Sequence, residues 1–162
     1  MTASNAAGTS RLLAIYLRNH AAAARGGADL FARMASSQAT RPWGAELTAL
    51  AREISEDCQA LRAVLRSLGV RPPTVATLVV RAGERVGRLK PNGAVVHRSP
   101  LSDLIEVEAG LDAVHAKAAG WEALRAAGVP VGTVDLDDLL RRAADQLDRL
   151  RRLHATVAAR TL

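Results

Sequence analysis

Cysteine occurs once in this sequence, as Cys58, which excludes a disulfide within the chain and fits a reducing compartment, the cytoplasm. Aromatic residues are nearly as scarce, at two Trp, one Tyr and one Phe, so no platform exists on which nucleic-acid bases would stack. No uncharged apolar run approaches the ~20 residues that span a bilayer, and neither a membrane partner nor insertion is expected. Residues 1–10 lack the charged and apolar regions of a signal peptide, and residues 1–9 read as a disordered tail. Gly-rich phosphate loops, nucleophile elbows and catalytic carboxylate pairs at recognisable spacing are absent too.

What the chain has instead is alanine, leucine and valine, which make up most of the 49% apolar content. That composition suits helix packing, because small residues let backbones approach while leucine fills the gaps. Only Val75–Val80 and Ala94–His97 hint at the alternation of a strand. The fold class is all-α. Arg outnumbers Lys twenty to two and the net charge is +6. Such an excess favours an acidic partner or nucleic acid, but a GC-rich genome writes the same bias. Without a dense basic run, nucleic-acid binding ranks low.

Periodicity predicts four long helices in a single domain, residues 10–162. The first runs from about Arg11 to Gln38 with Ser10 as N-cap, and its stripe includes Leu13, Leu17, His20, Phe31 and Met34. Two adjacent glycines, Gly26 and Gly27, imply a kink or the close approach of a neighbour. The second runs from about Trp43 to Leu68 and stops at Gly69, with Leu47, Leu50, Ile54, Asp57/Cys58, Leu61 and Leu65 in its stripe. The third opens with Ser99 as cap and Pro100 behind it, ends at Gly128, and carries Leu104/Ile105, Glu108, Leu111 and His115. Asp135 caps the fourth, whose stripe is Leu136, Leu140, Ala143, Leu147, Leu150, Leu153/His154 and Val157. Arg142, Asp145, Arg149 and Arg152 read as a solvated, internally paired face.

Roughly five residues join helices 1 and 2, and a similar number joins 3 and 4, so each pair should be an antiparallel hairpin. About thirty residues separate helices 2 and 3, enough to travel the length of a bundle and bring these two helices parallel. A short helix over about Thr74–Leu89 and a turn at Pro91-Asn92-Gly93 are expected there. Long crossover plus two hairpins is the connectivity of a ferritin-like antiparallel four-helix bundle.

The segments Tyr16-Leu17-Arg18-Asn19-His20, Glu53-Ile54-Ser55-Glu56-Asp57, Gly87-Arg88-Leu89-Lys90-Pro91-Asn92-Gly93 and Ser99-Pro100-Leu101-Ser102 carry a resemblance, as does Glu106–Trp121 with its Lys117. They resemble a family of uncharacterised ferritin-like helical bundles from high-GC Gram-positive bacteria, over nearly the whole chain. The resemblance implies the fold and supplies no activity. Working di-iron bundles place a Glu on two helices and a Glu-x-x-His on the other two, and this chain has no Glu-x-x-His. Its nearest counterpart is Asp112-Ala113-Val114-His115.

Ionisable side chains on helix stripes are the candidates for chemistry, because burying charge is costly without a partner. If the first turn centres near residue 40, His20 lies across from residue 60, about a turn from Asp57. The second centres near 131 and sets Glu108 across from His154, while parallel helices 2 and 3 bring Asp57 level with His115. Two readings follow. One is a structural network of histidines and carboxylates. The other is a divalent metal site of His20, Asp57, Glu108 and His115, completed by Glu53 or His154, whose donors would suit iron, manganese or zinc. Cys58 reads as a buried structural thiol, Trp43 and Trp121 as packing residues, and His97 as a loop residue. Arg81, Arg85, Arg88, Lys90 and Arg98, offset only by Glu84, are the best anion-binding candidate. The leading functional expectation is a non-enzymatic bundle acting by assembly, as a homodimer, or by binding a protein partner. The alternative is a metal-binding or metal-dependent oxidoreductase of the ferritin-like kind.

Overall fold

A computed structural model describes residues 2–72 and 99–162 of the chain. Among the described residues there are four helices: α1 (Thr2–Ser37), α2 (Gly44–Ser67), α3 (Pro100–Ala126) and α4 (Leu136–Thr161). No strand occurs among the described residues. The expected crossover helix, the turn at Pro91-Asn92-Gly93, the two strand-like stretches, His97 and the basic cluster from Arg81 to Arg98 lie outside them.

Four of the helix ends follow their capping chemistry. The Ser99 hydroxyl accepts from the Leu101 N–H with Pro100 in the first turn, and Asp135 accepts from the N–H groups of Asp137 and Asp138. Gly69 and Gly128 take positive φ just past the ends of α2 and α3, a conformation a side chain would resist. The start of α1 differs from expectation: the helix begins at Thr2, so Ser10 is not its cap and the stretch read as a tail is helical. Thr2–Ser10 contains no proline, and a helix nucleated further along extends with one hydrogen bond per residue fixed.

Leu17 of α1 shares one apolar cluster with Leu61, Val64 and Leu65 of α2, while Phe31 and Met34 share the other with Leu47 and Leu50. The first two helices are therefore antiparallel. By the same reasoning α3 and α4 are antiparallel, with Leu124 and Leu139 in one cluster and Leu104 and Val157 in the other. Leu50 groups with Val107, and Leu61 with Trp121, so α2 and α3 point the same way. Gly110 and Gly120 of α3 let α1 approach, since a Cβ there would meet the Phe31 ring at 3.1 Å and the His20 ring at 2.8 Å. A Cβ at Gly27 would meet Ala113 at an ordinary 3.7 Å and one at Gly26 nothing within 4 Å, so neither glycine of that pair is required by a neighbour. Backbones come close between α1 and α2, α1 and α3, and α3 and α4, whereas α2 and α4 are joined by long polar side chains.

Candidate functional site

Asp57 lies on the buried stripe of α2, between Ile54 and Leu61, and its side chain is 1% exposed. A carboxylate there must find partners inside the bundle. Lys117 supplies the first: it reaches across from α3, donating from Nζ to Asp57 Oδ2 at 2.5 Å and to the Gln146 side-chain oxygen. Gln146 of α4, fully buried, donates in turn to Asp57 Oδ2 at 3.2 Å and to Glu53 Oε2 at 3.2 Å. Arg142 Nη2 stands 3.1 Å from Asp57 Oδ1, close but not aligned for a hydrogen bond, and donates to Glu56 at 3.0 Å. Arg149 completes the network, bonding both Glu53 oxygens at 2.9 Å, Glu46 at 2.6 Å and Asp145 at 3.1 Å.

Local sequence explains the arrangement. Glu53 and Asp57 are four apart on α2, and Arg142, Gln146 and Arg149 recur at intervals of four and three on α4, so each set shares one helix face. Lys117 lies three residues after Val114 and four before Trp121, which is core spacing on α3. Burial pulls the Lys117 amine below its usual pKa, against the opposing pull of Asp57, and the Arg142 charge adds to the lowering. For Arg149 burial also opposes the charge, but hydrogen bonds to Glu46, Glu53 and Asp145 outweigh it and raise its pKa. Three cations thus face Asp57 and Glu53 directly, and the central acids are claimed by the chain's own side chains.

The four residues expected to bind metal are not gathered into one site. Asp57 is buried, but in the ion-paired network just described. Half-buried His20 packs against Tyr16 with the rings tilted by 49° and their centroids 4.4 Å apart, and the backbone of Gly120 lies against it. Desolvation lowers its pKa. His115 is exposed on α3. Glu108, also exposed, meets the half-buried His154 at 3.2 Å, so this pairing of levels between α3 and α4 is present but at the surface. Among the described residues, no group of three or more His, Cys, Asp or Glu is placed to hold a metal ion.

The reason lies in α3. Its apolar residues occupy several sides of the helix, and the buried stripe is Leu104, Val107, Gly110, Val114, Trp121 and Leu124. The stripe inferred through Glu108 and His115 is turned away from it. On α4, Arg142 and Arg149 do not form the solvated face that their spacing predicts but bridge to α2. Gln146, three after Ala143 and four before Leu150, and Lys117, three after Val114, are legible as polar residues on the core phase, whereas both arginines lie one residue off it. A second polar layer sits near the α1–α2 turn. There buried Gln38 accepts from the Trp43 indole at 2.7 Å and donates to Glu106 at 3.0 Å, and Arg41 pairs with buried Asp103 at 3.1 Å. Cys58 is buried, as expected.

Two shallow surface grooves occur among the described residues. One, of about 270 Å³, runs between α1 and α2 over Ala28, Ala32, Ala51 and Cys58, with Arg25 and Arg62 at its edges. The other, of about 420 Å³, is bordered by Glu53, Arg141, Arg142 and Asp145. No helix of the described residues is long and apolar enough to cross a membrane. No protein-family model, curated protein or solved structure matches this chain.

Proposed function

We propose that this chain is a ferritin-like bundle that acts without catalysis in the cytoplasm, through self-assembly as a homodimer or through a protein partner. The observation that carries this reading is the occupation of Asp57 and Glu53 by Lys117, Arg142, Gln146 and Arg149. A metal ion at the bundle centre would have to displace cations that already neutralise those carboxylates. The ferritin-like connectivity draws support from parallel α2 and α3 and from the two antiparallel hairpins.

The test has two arms. Protein produced with iron, manganese and zinc supplied should contain each at well below one ion per chain, with no change in His20→Ala or His115→Ala. Multi-angle light scattering over micromolar concentrations should give twice the chain mass. Stoichiometric metal that disappears in both histidine variants would overturn the reading in favour of the metal-dependent alternative. A strict monomer at every concentration removes the homodimer and leaves only the heterologous partner.

A further inference from the structure

Charge is unevenly distributed on the α1–α2 hairpin. Residues 1–28 contain no acid, and neither do residues 58–72. Because α1 and α2 are antiparallel, these two acid-free stretches lie side by side at one end of the bundle. They carry Arg11, Arg18 and Arg25 on α1, and Arg62, Arg66 and Arg71 on or just after α2, all exposed. Arg25 and Arg62 border the same groove, and the Arg18 Nε donates to the Arg71 carbonyl at 3.3 Å, which ties the two rows together. Only Arg25 of the six has a carboxylate partner among the described residues, Asp29 at 3.0 Å. Elsewhere most arginines are paired, as with Arg33, Arg41, Arg125 and Arg151. Arg66 gains from the negative end of the α2 dipole, but Arg62, a turn earlier, needs a different account.

Two apolar side chains stand among these charges. Leu12 is 70% exposed and Ile15 is 43% exposed. Ile15 is four residues from Arg11 and three from Arg18, so it sits between the two guanidinium groups on the helix surface, with Leu12 one turn away.

We propose that this end of the hairpin is a peripheral binding surface for anionic lipid bilayers. The headgroups supply the negative countercharge that the chain's own carboxylates give only to Arg25 among the described residues, and Leu12 and Ile15 dip into the interfacial layer. The scarcity of long apolar runs excludes crossing a bilayer and says nothing against lying on one. Nucleic acid, the other polyanion of suitable charge, fits less well. Phe31, Trp43 and Trp121 are buried and Tyr16 packs on His20, so no aromatic is free to stack on bases, while exposed leucine and isoleucine would face phosphates.

The test is co-sedimentation of the full chain with sucrose-loaded vesicles of phosphatidylcholine alone or with one third phosphatidylglycerol. Binding should appear only with the anionic lipid and fall steeply in high salt. An arginine near such a surface is worth roughly fivefold in affinity. Arg62→Glu/Arg66→Glu should therefore weaken binding more than tenfold, and Leu12→Ser/Ile15→Ser should weaken it with the charge intact. Arg152→Glu on α4 should bind as wild type. Circular dichroism confirms that each variant is folded. Equal affinity for both vesicles, no binding to either, or full binding by folded Arg62→Glu/Arg66→Glu overturns the proposal. So does tighter binding to a single-stranded oligonucleotide than to anionic vesicles, which assigns the surface to nucleic acid.

Discussion

Burial of the His20 ring between Tyr16 and the backbone of Gly120 makes its protonation part of the folding equilibrium. The folded-state pKa lies below the ordinary 6.5, so under acid the unfolded chain takes up this proton before the folded one. Stability from this source is fully present above pH 6.5 and is lost as pH falls from there through the folded pKa. Urea unfolding at pH 7 and pH 5.5 should show a loss in wild type that is smaller in His20→Asn, which cannot titrate. Equal losses for both proteins would place the ring in water. That His20 faces the bundle was legible in its spacing from Leu13, Leu17 and Phe31. That His115 faces outward was not, because alanines and leucines on several sides of α3 leave the direction of its core face undetermined by pattern alone.

At the level of the helix and its turn, two glycines should respond in opposite ways to an added methyl group. Gly44 opens α2 where the chain doubles back, and a Cβ there would run into the Ala39 carbonyl oxygen and lie 2.9 Å from that of Gln38. Both obstacles are backbone and cannot rotate away. Gly44→Ala should cost about 3 kcal/mol, the upper part of the usual range for overpacking. Gly26, by contrast, sits mid-helix in α1, and a Cβ there would have nothing within 4 Å. Gly26→Ala should stabilise the protein by up to about 1 kcal/mol through reduced unfolded-chain entropy. Thermal unfolding of the two variants beside wild type decides both, and a destabilised Gly26→Ala would reveal a contact made by that face. Helix boundaries marked by caps and breakers, such as Ser99-Pro100, Asp135, Gly69 and Gly128, could be read from the sequence because the chemistry is local. The start of α1 could not, since no side-chain stop precedes it and packing further along sustains the helix.

Across the whole molecule, topology was legible from connection lengths alone: two short turns force hairpins, and a long link permits α2 and α3 to run parallel. The chemistry between the hairpins was less so. A periodic pattern places Asp57 inward but does not say whether a metal or an amine meets it, and Lys117 arrives from a helix distant in sequence. The network has a testable energetic consequence. Lys117 is 13% exposed and Asp57 1%, so deleting one charge strands the other in a poorly solvated interior. Lys117→Met should cost about 3 kcal/mol, the low end for a broken buried pair, because Arg142 and Gln146 still face the carboxylate. Removing all three buried members together, as Asp57→Leu/Lys117→Met/Gln146→Leu, should recover at least half of that loss. Arg142 keeps Glu56 and Arg149 keeps Glu53 and Glu46, so no charge is left stranded in the triple variant. Guanidinium unfolding measures both, and a triple variant no more stable than Lys117→Met would mean that the polar contacts contribute net stability instead of only satisfying one another. Recovery would assign them a different role: fixing which faces of α2, α3 and α4 meet, in a core whose alanines and leucines would pack acceptably in several registers.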